Sequence, residues 1–180
     1  MKLTAPIDEA VARSLRAGDR VELSGVIYTG RDAAHKRLTE MLARGESAPF
    51  ALENAVIYYC GPCPAPPGRP IGSAGPTSSL RMDTYAPELI RRYHLRSMIG
   101  KGNRSRAVVE AIREAGGVYF AATGGAGALI ARSVVSCETA AFADLGPEAI
   151  YRLEVRDLPL IVAIDAHGGN LYEERPVRRP

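Results

Sequence analysis

Three cations stand beside glycine or hydroxyl residues in separate short stretches: Arg31, Arg81 and Lys101. Arg31 belongs to Thr29-Gly30-Arg31-Asp32, Arg81 to Gly75-Pro76-Thr77-Ser78-Ser79-Leu80-Arg81-Met82-Asp83, and Lys101 to Gly100-Lys101-Gly102-Asn103. A fourth stretch, Thr123-Gly124-Gly125-Ala126-Gly127, is rich in glycine. The Thr77 and Ser78 hydroxyls lie three or four residues before a guanidinium, where a Pro/Gly-rich loop meets a run that reads as helix. Hydroxyls and free amides at a helix start, with an arginine one turn on, make a receptor for carboxylate or phosphate. The same residues suit a plain Ser/Thr helix cap with a solvent-facing arginine. An arginine grips a carboxylate by two parallel hydrogen bonds, and a lysine adds a point charge. Convergent cations with hydroxyl donors are what a small dicarboxylate needs, and three unrelated surface cations would have the same spacing; both readings stay open here. Lys101 stands between two glycines, where backbone can approach a ligand closely.

Cysteine and histidine add less. Cys60, Cys63 and Cys137 are an odd set, which argues against a disulfide framework. Cys60-Gly61-Pro62-Cys63 has the form of a thioredoxin redox motif. In that fold the second cysteine lies within the first turns of a helix, whose N-terminus lowers the thiol pKa, and Pro64-Ala65-Pro66-Pro67-Gly68 cannot propagate one. A structural zinc site needs four ligands, and there is no second pair of this spacing. His35 follows Arg31-Asp32 on an expected helix and His167 lies in a Gly-rich loop, so both are secondary candidates for touching a ligand. His94 reads as surface.

The elements that must position these loops alternate. The sequence predicts a short strand and an Asp8-capped helix over 1–18, a strand over 21–28, and a helix from Asp32 to Arg44 closed by Gly45. A buried strand covers 55–59. Residues 60–79 hold six prolines and four glycines, so neither helix nor strand runs through them. A loop of that length inside a compact domain is usually functional or disordered, and its ending in Thr77, Ser78 and Arg81 favours function. Helices follow at 84–93 and 104–115, the latter ended by Gly116-Gly117. Strands are expected at 98–99, 118–122, 133–137, 151–155 and 160–164, with a short helix after Thr123 reaching Ala131 and a loop over 165–170. Interleaved strands and helices mean an α/β class, one domain over 1–180, with 173–180 a flexible tail.

Bulk numbers narrow the classes. The 180 residues suffice for one sizeable core, and 46% hydrophobic with 24% charged residues is ordinary for a globular chain. A net charge of +3 is too small and dispersed to imply nucleic acid. No apolar run approaches the roughly 20 residues that span a bilayer. The first residues, Met1-Lys2-Leu3-Thr4-Ala5-Pro6, lack the apolar run of a secretory signal, so a cytoplasmic location is expected.

Taken together, several blocks resemble a known family. They are Ser24 to His35, Ile57-Tyr58-Tyr59-Cys60-Gly61-Pro62, Gly75-Pro76-Thr77-Ser78 with Arg81-Met82-Asp83, Gly100-Lys101-Gly102, Tyr119 to Leu129, and Leu158 to Asp165. In this order they resemble the β subunit, equivalently the C-terminal domain, of iron–sulfur-dependent class I fumarases and L(+)-tartrate dehydratases, over about Gly18 to Tyr172. The resemblance implies a swivelling β/β/α domain with a mixed sheet and flanking helices. It implies a hydro-lyase that adds or removes water at a small dicarboxylate, active only with a partner. Residue by residue, it implies that Arg31 and Arg81 bind substrate carboxylates, Thr77 acts as catalytic base, Ser78 keeps a hydroxyl beside it, and Lys101 completes the anionic site.

The resemblance also implies that this chain holds no metal and no cofactor. The [4Fe-4S] cluster belongs to an α subunit, with α/β pairs assembling further and with no nucleic acid or membrane as partner. Leu80 departs from the family, where many members carry glycine before the arginine. A different class of function competes: a non-catalytic small-anion or nucleotide-binding domain using Thr123 to Gly127 at a helix start. Against it, no Gly-Lys-Ser/Thr follows those glycines and no acidic residue is spaced to hold a ribose.

Overall fold

In β3 (Val56–Tyr58), β4 (Ser97–Gly100) and β5 (Val118–Ala121), successive residues are buried on opposite faces. Val56, Tyr58, Ile99, Val118 and Phe120 enter one apolar cluster, while Ile57, Met98 and Tyr119 enter another. A strand buried on both faces in this way must be covered twice. The computed structural model describes residues 1–123 and 125–173. The expected tail falls outside these from residue 174 onward, as does Gly124 of the glycine-rich stretch.

With β1 (Lys2–Ala5), β2 (Arg20–Thr29), β6 (Val134–Ala141) and β7 (Ile150–Ile164), the strands form a seven-stranded sheet ordered β1-β2-β3-β4-β5-β7-β6. β1 through β5 pair in parallel, and β7 runs antiparallel to β2, β5 and β6. Because β2 pairs with both β3 and β7, the pairing runs from β2 through β3, β4, β5 and β7 and returns to β2. One face of this ring packs against α2 (Asp32–Ala43), α3 (Ala86–Tyr93) and α4 (Arg106–Ala115) through Leu38, Leu89, Ile90, Val108 and Ile112. The other face is filled by Leu23, Ile27, Tyr58, Phe120 and Leu153, with Ile71 and Ala74 of the long loop. The short α1 (Glu9–Ser14) adds Ala12 to this second cluster, and Ile130 of α5 (Gly127–Ile130) joins it. The chain is thus mixed α/β, a sheet with flanking helices.

Three expectations change. The strands expected at 151–155 and 160–164 are one fifteen-residue strand. Arg156-Asp157 with Pro159 reads as a turn, yet β2 pairs on both sides of it, from Arg152 to Ile161, and a bulge opposite Ser24 takes up the irregularity. Asp157, at φ 47, marks the place. Pro159 falls between the β6 and β5 segments on the other edge of β7, so its missing N–H breaks no ladder there. The helix expected from Thr84 starts at Ala86, after a separate 3-10 turn over Ser79–Met82. The helix expected from Arg104 starts at Arg106, because Arg104 is drawn into the interior.

Candidate functional site

Parallel neighbours put the C-terminal ends of β2, β3, β4 and β5 along one edge, where open parallel sheets bind ligands. Each of the four stretches singled out above lies in the connection that follows one of these strands. Arg31 follows β2, the long loop with Thr77, Ser78 and Arg81 follows β3, and Lys101 follows β4. The antiparallel β7 begins at this same edge, which brings the 143–149 turn there.

The long loop is fastened to its neighbours by backbone. Thr77 N–H donates to Tyr59 O at 2.7 Å, Ser79 N–H donates to Lys101 O at 3.0 Å, and Ser78 bridges Lys101 in parallel. This corrects the helix-start reading. The amides of Thr77 and Ser79 are used by the sheet edge, and neither the 3-10 turn nor α3 has a side-chain cap. Thr77 and Ser78 sit on an extended segment, Ser78 exposed and Thr77 half-buried. Among the described residues their hydroxyls and the exposed Lys101 ammonium have no protein partner.

The arginines are held differently. Arg81 Nε donates to Asp32 Oδ1 at 2.9 Å. Arg31, half-buried, has Nη2 at 3.3 Å from Glu148 Oε1 and Nε at 4.0 Å from Asp32 Oδ2. Glu148 Oε2 also accepts from Ala33 N–H at 3.0 Å, serving as the cap that Arg31, the residue before α2, does not provide. Both carboxylates lie at the positive end of α2, which favours them there. Arg31 Nε and Asp32 Oδ2 are buried without hydrogen bonds. This edge therefore carries three cations against two carboxylates, with Lys101 the cation free of an ion pair among the described residues. Asp32 and Glu148 were not singled out from the sequence. Asp32 stood next to Arg31, but Glu148 is brought in only by the antiparallel return of β7.

His35 lies inside, behind this edge. Nδ1 is 2.9 Å from Arg31 O, so the ring donates there, and Tyr59 and Tyr85 flank it. Burial holds its pKa down to about 4, so the ring is neutral at pH 7. His167 and His94 are at the opposite edge, which corrects the first as a ligand candidate. His167 follows the end of β7, beside the start of β5, with Nε2 2.7 Å from Arg13 O, and His94 precedes β4. The glycine stretch is also reassigned. A side chain at Gly127 would overlap Ser73 Oγ and meet Gly75 N at 2.9 Å, so glycine there admits the long loop rather than a phosphate. Gly100 likewise faces Ser79 Oγ, within the protein.

Residues 1–175 match the sequence family described as Fumarase C-terminus. The chain belongs to that family. It is 41% identical over 167 residues to a protein of Methanocaldococcus jannaschii named "Putative L(+)-tartrate dehydratase subunit beta", covering 90% of this chain and 86% of that one. It is 37% identical over 175 residues to "Fumarate hydratase class I, aerobic" of Escherichia coli K12, covering 96% of this chain and 32% of that one. A fumarate hydratase class I homologue of Geobacillus stearothermophilus gives 37% over 176 residues, 96% and 33%. The chain thus spans about a third of the fumarate hydratases it matches.

An iron–sulfur cluster, implied by the likeness to class I fumarases, does not fit the residues of this fumarase C-terminus chain. A cluster needs several thiolates converging. Burial pushes the Cys60 thiol up to about 12 despite nearby Arg31, and Cys63 is exposed. Among the described residues no three His, Cys, Asp or Glu side chains are grouped to hold a metal ion. The buried Cys60 and the lack of a following helix also set the thioredoxin reading aside.

Proposed function

We propose that this chain is the β subunit of an iron–sulfur-dependent hydro-lyase that reversibly adds water to a small dicarboxylate of the fumarate/malate or tartrate type. The observation that carries the reading is the shared edge. Loops after three adjacent parallel strands give Arg31, Arg81 and Lys101 one edge in common with Thr77 and Ser78, whose hydroxyls have no protein partner among the described residues. In this reading the α subunit supplies the [4Fe-4S] cluster.

In this reading the substrate carboxylate next to the reacting carbon lies against Arg31, Arg81 and Lys101. Thr77 takes the proton as the C–H bond breaks, and the hydroxyl leaves the neighbouring carbon in the partner's half of the site. Negative charge grows on the carboxylate in that step, and fixed cations stabilise it more than they stabilise the ground state. An unassisted threonine hydroxyl is far too weakly acidic to serve as a base at neutral pH. The Ser78–Lys101 bridge supports Lys101 as the cation that assists it. Asp32 and Glu148 hold the arginines in place, and Arg81, bound to Asp32 through Nε, keeps its terminal nitrogens for an arriving carboxylate.

The closed ring of strands with α2, α3 and α4 packed on it supports the swivelling β/β/α type. A functional role for loop 60–79, a cytoplasmic setting and assembly into higher oligomers of α/β pairs belong to the same proposal. Among the described residues no helix is long and apolar enough to cross a membrane. The test is anaerobic reconstitution with a cluster-bearing α subunit and assay against a panel of hydroxy-diacids. Turnover that falls steeply in Lys101→Met and Thr77→Val supports the reading, and wild-type turnover in both variants overturns the assignment.

A further inference from the structure

Behind the proposed site lies a closed circuit of hydrogen bonds that no catalytic role has so far used. Lys101 N–H donates to Ser79 Oγ at 3.0 Å. Ser79 Oγ is 2.8 Å from Tyr119 Oη, and Tyr119 O–H donates to Gly102 O at 2.9 Å. The direction of the circuit is forced. A carbonyl cannot donate, so the one phenolic proton goes to Gly102 O; Tyr119 Oη must then accept, and Ser79 must be its donor. Ser79 Oγ is left as acceptor for Lys101 N–H. The circuit starts at the Lys101 amide and ends at the Gly102 carbonyl, so it encloses the dipeptide that carries the Lys101 side chain. Backbone adds a fourth tie, from Ser79 N–H to Lys101 O at 3.0 Å.

The two hydroxyl residues of the circuit are buried and braced. Ser79 and Tyr119 are fully buried. Gly100 is needed for it, because a Cβ there would overlap Ser79 Oγ. The Arg104 guanidinium, itself fully buried, lies 5.0 Å from the Tyr119 ring centre and 5.1 Å from that of Tyr59. It donates to Asp83 Oδ1 at 2.7 Å and to Tyr59 Oη at 3.2 Å. Burial raises the Tyr119 pKa, which keeps its proton in place as the donor to Gly102.

We infer that Ser79 and Tyr119 are positioning residues that fix the Lys101–Gly102 backbone, and with it the Lys101 ammonium, against the segment carrying Thr77. The inference rests on the proposed role of Lys101 for its kinetic consequence, but not for the circuit itself. Loss of either hydroxyl frees a backbone turn whose side chain must meet developing charge, and displacements of about 1 Å at such a group cost up to roughly 100-fold.

Two measurements decide it. The first is residue-resolved amide exchange by NMR on the full chain, for wild type, Ser79→Ala and Tyr119→Phe. Exchange at Lys101 about tenfold faster in Ser79→Ala, with distant strand amides unchanged, is expected. Unchanged Lys101 exchange overturns the circuit. The second is a double-mutant cycle in the reconstituted complex. Ser79→Ala and Tyr119→Phe should each lower kcat roughly 10- to 100-fold with KM moved far less. In a Lys101→Met background they should cost less than about twofold, because they act through the missing side chain. An undiminished cost in that background means general structural damage and overturns the positioning role. Wild-type turnover in Lys101→Met refutes the proposed role of Lys101 instead, and amide exchange then decides the circuit by itself.

Discussion

Arg81 spends only Nε on Asp32, so among the described residues its two terminal nitrogens are open for a carboxylate fork. Lysine retains the charge but cannot be anchored by one nitrogen while presenting two others. In the reconstituted complex Arg81→Lys should lose about 2–4 kcal/mol of transition-state stabilisation, roughly 30-fold or more in kcat/KM. A loss under about threefold would make Arg81 a structural residue. His35 gives a stability expectation. Its folded pKa of about 4 lies below the reference value of 6.5, so above pH 6.5 both folded and unfolded forms are neutral and stability is full. As the pH falls from 6.5 toward 4 the unfolded chain takes up a proton that the folded chain refuses, and stability declines by up to about 3 kcal/mol. Urea midpoints from pH 7 to 4 should slope less in His35→Phe than in wild type. These side chains also mark what the sequence could reveal. Arg31, Arg81 and Lys101 were visible as cations flanked by glycine and hydroxyl residues. Their carboxylate partners were not, because Glu148 is 117 residues from Arg31 in sequence and only the strand return joins them.

The elements show which local patterns survive packing. Helices α2 and α4 start or end at their expected signals because those signals are local. Gly45 donates to Leu42 O and Gly116 adopts the left-handed conformation. The segment before α3 was misread because Thr77, Ser78 and Ser79 resemble cap residues, while two parallel strand ends offered carbonyls that outcompeted the helix for their amides. The same region is stapled by the Arg104–Asp83 pair, in which Arg104 is fully buried and Asp83 nearly so. Asp83 Oδ2 also accepts from Ser105 N–H, tying the start of α4 to the turn before α3. Removing one partner leaves the other charge unpaired in the interior, so Arg104→Ala should lower stability by about 3–5 kcal/mol in urea unfolding. Gly127→Ala presses a methyl group onto Gly75 backbone and should cost about 1–3 kcal/mol. Its Tm should fall by roughly 2–4 °C per kcal/mol, and protease should cut within 60–76 sooner than in wild type.

At the scale of the whole molecule, the proposed site is half a site: cations and hydroxyls at one edge, without thiolates grouped for a cluster among the described residues. The full chain alone should therefore show no hydratase turnover after iron and sulfide reconstitution, and should gain it on adding a cluster-bearing α subunit. Turnover with a cluster absorption band in the isolated chain would refute the division of labour. The α/β class was legible because short apolar runs punctuated by glycine, proline and polar loops mark the strands within a few residues, although the runs at 151–155 and 160–164 form one strand. The closure of the sheet was not, since it depends on β2 meeting β7 across some 130 positions, with Arg20 opposite Ile161 and Tyr28 opposite Arg152. That closure has a consequence for biosynthesis. A ribosome releases β2 long before its antiparallel neighbour exists, and β5 waits for the same strand. Until residues 150–164 emerge, the nascent sheet has two uncovered edges, each able to pair with another chain. Ring formation is then a late step with a large loop-closure cost, which slows folding relative to a fold built from local pairs. Chaperone dependence during synthesis should accordingly be set by the arrival of β7, and nascent chains stalled before residue 150 should aggregate where chains stalled well beyond it do not.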